Sequence, residues 1–349
     1  MKPAAVSQPG AEGMIDIRLF DDLDAAARDA GGALDRAVQP SLYDRIDWLR
    51  LTGTHILADA ALVIARAQLG EGRCWLFLRA LDGGRAEAYA SWYTLSFAPV
   101  FAGRAELRVP LLGGLARALR GRFAAIELAP MPGSAADLLV PAFAAQGWWA
   151  TRAEATANWV AHTAGQDFAA YWAGRPSRLR NTVRRKLRAA DLAIAIHERF
   201  DDAEWDAYEA VYRASWKPAE GSPAFLRALA RAEGAAGSLR LGIARREGEP
   251  VAAQFWTVEQ GVATIHKLAH IETEKAGSPG TVLSEALFRH VLDRDRPDLI
   301  DFGTGDDGYK ADWMDERRVL ERVTLYKRRS LGGLARAARA ALKRGLRHG

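Results

Sequence analysis

The chain has 349 residues, 49% hydrophobic and 26% charged, with Cys74 as its one cysteine. This composition excludes a disordered or fibrous chain and an intramolecular disulfide; it leaves room for two domains with cores of their own and suits a reducing compartment. The net charge of +5 is uneven: residues 175–188 and 327–347 carry seven and eight basic residues without an acid, so the rest is net acidic. That pattern argues against a surface that binds nucleic acid throughout and for local contacts with phosphate or lipid.

In chain order, 1–13 reads as a lead-in without the apolar core of a signal peptide, and no later stretch has about eighteen uncharged apolar residues. The expected location is cytoplasmic, or peripheral on the inner face of the cytoplasmic membrane. Residues 14–20 alternate like a strand, Asp21 to Asp24 open a helix expected to reach about 38, and 41–51 reads as a second helix. Strands are expected at 61–68, 73–81 and 86–94, the last two joined by the hairpin signal Asp82-Gly83-Gly84. Cys74 falls in an apolar run as a structural thiol. Helix 111–120, strand 123–128, helix 134–146 and strand 148–162 complete a first α+β lobe. Trp92 and Tyr93 stand near a strand end before Pro99, where they either fill the core or line an acceptor site in a cleft between two lobes.

Residues 175–188 pattern as a helix with Leu179, Val183 and Leu187 on one stripe, basic flanks and Ser177 as its cap. It reads either as a solvated interlobe helix or as an Arg clamp for phosphate or carboxylate, with Arg180 among the clamp residues. The second lobe follows as strand 192–200, helices 202–216 and 223–233, hairpin 239–245 with 251–258, strand 261–271, helix, strand 299–302 and strand 319–327. The tail, 330–349, has a narrow apolar stripe opposite Arg and Lys; it reads either as an element binding an anionic membrane surface or as a frayed tail.

Two motifs carry chemistry. Ser278-Pro279-Gly280-Thr281 follows strand 261–271 and opens a helix, which makes it either an ordinary cap or an anion site at a helix N-terminus. On that strand His266 and His270 share a face, and His266, nearer the middle, is the candidate general base. The two are not a metal pair, since i and i+4 on a strand lie roughly 13 Å apart. After strand 299–302 comes Gly303-Thr304-Gly305-Asp306-Asp307-Gly308-Tyr309-Lys310, in which Asp306 is placed to orient an acceptor amine or Lys310. No nucleophile triad, Walker or dinucleotide signature, or metal spacing accompanies them.

The order strand, Ser-Pro-Gly-Thr, helix, Asp-Phe-Gly-x-Gly-Asp-x-x-Tyr-Lys, strand resembles the GNAT-like acyltransferases of the FemAB and BioF2-like (CelD/BcsL) group, over about residues 174–329. The turn departs from the commoner Gln/Arg-x-x-Gly-x-Gly/Ala fingerprint. The resemblance implies an α+β, three-layered α/β fold of two tandem GNAT-like lobes, 14–164 and 165–329, followed by the tail. It implies acyl-CoA as co-substrate, without a metal, its pyrophosphate held at the turn Ser278, Pro279, Gly280, Thr281 and Val282 through the backbone amides of Ser278, Gly280, Thr281 and Val282. It further implies Tyr309 as the acid for the leaving thiolate and Lys310 as a charge for the oxyanion or an acceptor phosphate. The expected reaction is direct acyl transfer to an amine. The acceptor expected first is a lipid amine of sphingoid type, as in the bacterial ceramide synthases that resemble this group. An envelope or exopolysaccharide amino sugar, or a FemX-like reaction with aminoacyl-tRNA as donor, are the alternatives.

Overall fold

The computed structural model describes residues 14–328; the expected lead-in and basic tail lie outside the described residues. The first half runs β1 (Asp16–Phe20), α1 (Leu23–Ala30), α2 (Ile46–His55), β2 (Ala61–Leu69), β3 (Gly72–Leu81), β4 (Arg85–Ala88), β5 (Val100–Ala102), α3 (Arg108–Arg122), β6 (Ala125–Pro132), α4 (Gly133–Ala145) and β7 (Trp148–His162). Two helices, α5 (Phe168–Ala173) and α6 (Ser177–Ala189), lead into the second half. It comprises β8 (Ala193–His197), α7 (Asp202–Arg213), α8 (Pro223–Ala235), β9 (Leu239–Arg246), β10 (Glu249–Glu259), β11 (Val262–His270), α9 (Pro279–His290), β12 (Leu299–Thr304), α10 (Lys310–Trp313) and β13 (Glu316–Lys327).

Local chemistry sets several boundaries. Asp22, Asp201 and Ser222 cap α1, α7 and α8 by accepting from the N–H of Ala25, Glu204 and Phe225. The helix expected to reach 38 stops at Ala30, because Gly31 turns left-handed at φ 56° and its N–H closes on Ala27. The helix expected at 41–51 is broken at Arg45, whose buried guanidinium bonds the carbonyls of Gln39 and Pro40 and pairs with Glu259. The strand expected at 86–94 ends at Ala88: Ser91 N–H donates to Thr94 Oγ1 and Thr94 N–H returns to the Ser91 carbonyl, a tight turn that takes the chain off the sheet. Ser177 is not the cap of α6; Pro176 holds that position and Ser177 makes no capping bond.

The strands form one 13-stranded sheet in the order β1-β2-β3-β4-β6-β13-β7-β12-β11-β10-β9-β8, with β5 beside β3. The order is nearly palindromic, with the final strand of each half exchanged. β13, from the end of the chain, pairs with β6 of the first half, and β7 pairs with β12 of the second. β7 and β13 are antiparallel neighbours along Trp148↔Lys327 to Val160↔Glu316. Backbone hydrogen bonds therefore tie the halves together at their centre.

Each half buries its own core, around Leu76, Leu112, Phe143 and Trp148 in the first and Trp256, Leu287, Phe288 and Ile300 in the second. Cys74 lies in the first of these, and burial pushes its thiol pKa up. A third cluster spans the halves: Trp48 meets Phe225 edge-on at 5.3 Å and Tyr93 stacks on Phe225 at 4.7 Å. Arg36, bonded to Glu233 and Glu259, adds an ionic tie across the same boundary. No helix among the described residues is long and apolar enough to cross a membrane.

Candidate active site

β11 and β12 run parallel over only three pairs, Val262↔Leu299, Ala263↔Ile300 and Thr264↔Asp301, and then diverge. Both strands are irregular there. β11 bulges at His266 against β10, between Ile265↔Trp256 and Lys267↔Phe255. The register of β12 with β7 breaks between Asp301 and Thr304, where the Asp301 carboxylate accepts from Gly303 N–H at 2.7 Å and from Asn158 Nδ2 at 3.0 Å. Gly303 adopts φ 70°, which disfavours any side chain, and a Cβ there would sit 3.2 Å from the Ile265 carbonyl oxygen.

The divergence opens on a cavity of about 200 Å³ between the two halves. Trp48, Trp92, Tyr93 and Leu95 wall it from the first half. From the second come Lys217, Phe225, His266, Lys267, Asp307, Tyr309 and Lys310, among others. The loop 89–97 reaches it by docking on the loop that follows α7. Tyr93 accepts from Ser222 N–H at 2.9 Å and donates to Glu220, and Trp92 lies so close over Gly221 that a Cβ there would be 2.6 Å from its ring. The cavity thus collects His266, Tyr309, Lys310, Trp92 and Tyr93 from the expected site residues.

Their environments differ. The His266 imidazole stacks on Phe255 at 4.9 Å, shares a 2.9 Å hydrogen bond with Thr257 Oγ1, and is pushed down to about 3 by burial and by Lys267. It is neutral at physiological pH and a weak base, far from the match to ambient pH that general-base catalysis favours. Tyr309 is 46% exposed, meets Phe302 edge-on, and its pKa is raised by burial and by Asp307. It is a phenol that stays protonated. Lys310 is buried, and its ammonium donates to the carbonyls of Thr304, Gly305 and Gly303 at 2.8, 3.3 and 3.4 Å. Those three bonds use its three donors, so it braces the loop after β12 instead of presenting them to a substrate.

Three expectations fall elsewhere. Asp306 is not turned toward an acceptor or Lys310; its carboxylate faces the β7–β13 side, accepting from Trp159 Nε1 and Arg317 Nε at 3.0 Å each. The neighbouring Asp307 lines the cavity in its place. Arg180 does not line the cavity: α6 packs Leu179 and Val183 inward against α9, and its flanking Arg175 and Arg178 bond Asp315 and Asp312 beside α10.

The turn at the start of α9 does not hold out a row of free amides. Ser278 is left-handed at φ 54°; its N–H donates to Lys275, while Thr281 and Val282 both donate to the Ser278 carbonyl. Pro279 has no N–H, which leaves Gly280 as the amide without a backbone acceptor. Gly280 is also the close approach to β11, since a Cβ would lie 3.3 Å from His270 Nδ1.

Sequence reasoning passed over Lys217, Lys267, Glu220 and Asp307. Lys267 shares the strand of His266; its ammonium pairs with Glu220 at 2.9 Å and lies 4.8 Å over the Tyr93 ring. Lys217 stands in the loop after α7: its backbone N–H donates to Ser215 Oγ at 3.3 Å, and its ammonium lies 5.7 Å over the Trp216 ring, without a side-chain hydrogen bond or ion pair among the described residues. Burial, Lys267 and Lys310 push it down to about 8. No group of three or more His, Cys, Asp or Glu among the described residues is arranged to hold a metal.

Residues 177–311 match the family described as acetyltransferase (GNAT) domain. The fold is GNAT-like. No curated protein matches the chain in sequence. Among solved structures, FemX superposes with a TM-score of 0.60 at 9% identity, over 81% of this chain and 92% of that one. A conserved protein of unknown function from Bacteroides thetaiotaomicron gives 0.55 at 15% identity, over 90% and 100%. A tandem GNAT protein from the clavulanic acid biosynthesis pathway gives 0.49 at 13% identity, over 89% and 98%.

Proposed function

We propose that the protein is a GNAT-type acyltransferase that moves an acyl group from a thioester to an amine held in the cavity between its halves. The observation that carries this reading is the divergence of β11 from β12, which opens the sheet directly onto a cavity holding a protonated phenol. In the reaction the amine nitrogen attacks the thioester carbonyl, the C–S bond breaks, the thiolate takes a proton, and the amine gives one up. Tyr309 is assigned the proton given to the thiolate, and the proton lost by the amine passes through solvent to restore the phenol. Neutral His266 is left as a hydrogen-bonding wall residue, and Lys310 keeps the loop carrying Tyr309 in place.

The acceptor presents an amine-bearing head to the cavity and leaves the rest of its bulk outside. About 200 Å³ is below the roughly 300–1,000 Å³ that encloses a drug-sized ligand. A lipid amine, including the sphingoid type, fits this only with its chain along the aromatic rim at Trp92; an amino sugar fits it with its ring partly outside. Acyl-CoA is the donor proposed first, and amides at Ser278, Thr281 and Val282 already engaged within the turn weaken that choice. The same observation favours a second donor, aminoacyl-tRNA, an oxygen ester in which the C–O bond breaks and the ribose hydroxyl takes the proton, with the basic helix α6 beside α9 as its phosphate contact.

The test is to incubate the protein with acetyl-CoA, a long-chain acyl-CoA or charged tRNA and a panel of lipid amines and amino sugars, and to look for an amide by mass spectrometry. An amide formed from acyl-CoA and insensitive to ribonuclease supports the first donor, and a ribonuclease-sensitive product supports the second. No amide from any donor, with the protein folded, contradicts acyl transfer.

A further inference from the structure

We infer that the acceptor carries an anionic group, carboxylate or phosphate, beside its amine, and that Lys217 is the residue that recognises it. The inference rests on the acyl-transfer reading for the fate of the amine and narrows which amines enter.

The Lys217, Lys267 and Lys310 ammonium groups and the Asp307 carboxylate line the cavity, and Glu220 stands behind Lys267. Lys267 is neutralised by Glu220, which also accepts from Tyr93. Lys310 is held by three loop carbonyls and lies 3.9 Å from Asp307. Lys217 remains as a cavity-lining cation whose ammonium lies over the Trp216 ring with no anion of the protein within ion-pair reach among the described residues; Lys267 and Lys310 press on it, and Asp307 and Glu220 oppose them from beyond that reach. An ammonium drawn partly out of water without a paired anion is costly, and an incoming anion offsets that cost.

A neutral-tailed amine entering as an ammonium would add a fourth cation to this cavity. An amine that also bears an anion matches the charges already present. Its anion meets Lys217, and its ammonium meets Asp307, which stands two residues from the phenol of Tyr309. The Trp92–Gly221 contact and the Tyr93–Glu220 bond hold the Lys217 loop against the first half, so the recognition element depends on both halves.

The test uses the full chain and four probes: β-alanine and ethanolamine phosphate, which carry an anion, and ethanolamine and propylamine, which do not. Calorimetric titration of each reads binding, and release of free thiol from acetyl-CoA in the presence of each reads transfer. The expected result is a preference of about tenfold or more for anion-bearing probes, the size of one charge-assisted hydrogen bond. That preference disappears in Lys217→Gln and is kept in Lys217→Arg. β-Alanine ahead of ethanolamine phosphate assigns a carboxylate, and the reverse assigns a phosphate such as a lipid headgroup presents. Equal binding of the two classes, absence of binding included, or a preference that survives Lys217→Gln with the variant folded, overturns the inference. If neutral amines are acylated as fast as anion-bearing ones, acyl transfer stands and the anion subsite falls. If anion-bearing probes bind through Lys217 and no thiol is released, the subsite stands and the acyl-CoA reaction falls.

Discussion

In the first half β4 and β6 run parallel over Arg85↔Ala125, Ala86↔Ile126 and Glu87↔Glu127; in the second, β11 and β12 do so over Val262↔Leu299 to Thr264↔Asp301. Each half of the sheet splits after three pairs, and from there the halves differ. The chain leaving β4 folds back into the first half's split: Phe97 N–H donates to the Pro130 carbonyl on β6 at 2.7 Å, and the Phe97 ring is buried in that half's core. The same segment carries Trp92, Tyr93 and Leu95 across to wall the second half's opening. One loop closes its own sheet and helps to build the site in the other. A repeated fold can thus supply one site, with the second copy serving as its wall.

The largest expected effect comes from the group assigned to the reaction. Tyr309→Phe should lower kcat by about 10²-fold or more while leaving the melting temperature nearly unchanged, because a general acid contributes about 10²–10⁴ and this side chain is half exposed. A variant with wild-type kcat would remove Tyr309 from the mechanism. Next comes the plug. Phe97→Ala should destabilise the protein by about 3–5 kcal/mol, the usual cost of emptying a buried aromatic site, measured by denaturant unfolding. A cost under about 1 kcal/mol would mean that the first half's opening is not held shut by this ring.

His266 sharpens the comparison through pH. Burial and Lys267 push it down to about 3 from an ordinary 6.5, so between these values the native state binds fewer protons than the unfolded chain. Its contribution to stability is complete above about pH 6.5 and is lost as pH falls toward 3. His266→Gln should flatten this part of the stability profile, and an unchanged profile would contradict a neutral buried imidazole. The smallest effect is expected at Asp306. Asp306→Asn disturbs an exposed ion pair with Arg317 that water and salt screen, and should change turnover by less than about threefold. A large loss of kcat there would return Asp306 to the reaction.

Local patterns carried much of the second half. Alternation on 261–271, the Pro-Gly helix start and the glycine-rich segment after β12 led to β11, α9 and the loop with Tyr309, and the order of elements led to the fold. Three features depend on contacts that no local pattern encodes. The exchange of β7 and β13 pairs residues more than 150 positions apart. The closing of the first half depends on where Phe97 lands, and strand-like composition at 86–94 gave no sign that Ser91 and Thr94 turn the chain away. Lys217 lies in a loop without periodicity and gains meaning only beside Lys267, Lys310 and Asp307. At the start of α9 the residues are those of a cap, and the left-handed backbone angle of Ser278, which the sequence does not show, decides where the N–H groups point.

The proposed placement of acyl transfer at the second half's opening is tested most directly by comparing thioester binding and amide formation in wild type, Gly303→Val and Phe97→Trp. Gly303→Val places a side chain at φ 70° against the Ile265 carbonyl and should abolish binding and turnover while the protein stays folded. Phe97→Trp, which overfills the first half's plug, should bind the donor as wild type does. Donor binding that survives Gly303→Val and is lost in Phe97→Trp would place the reaction in the first half and contradict the account.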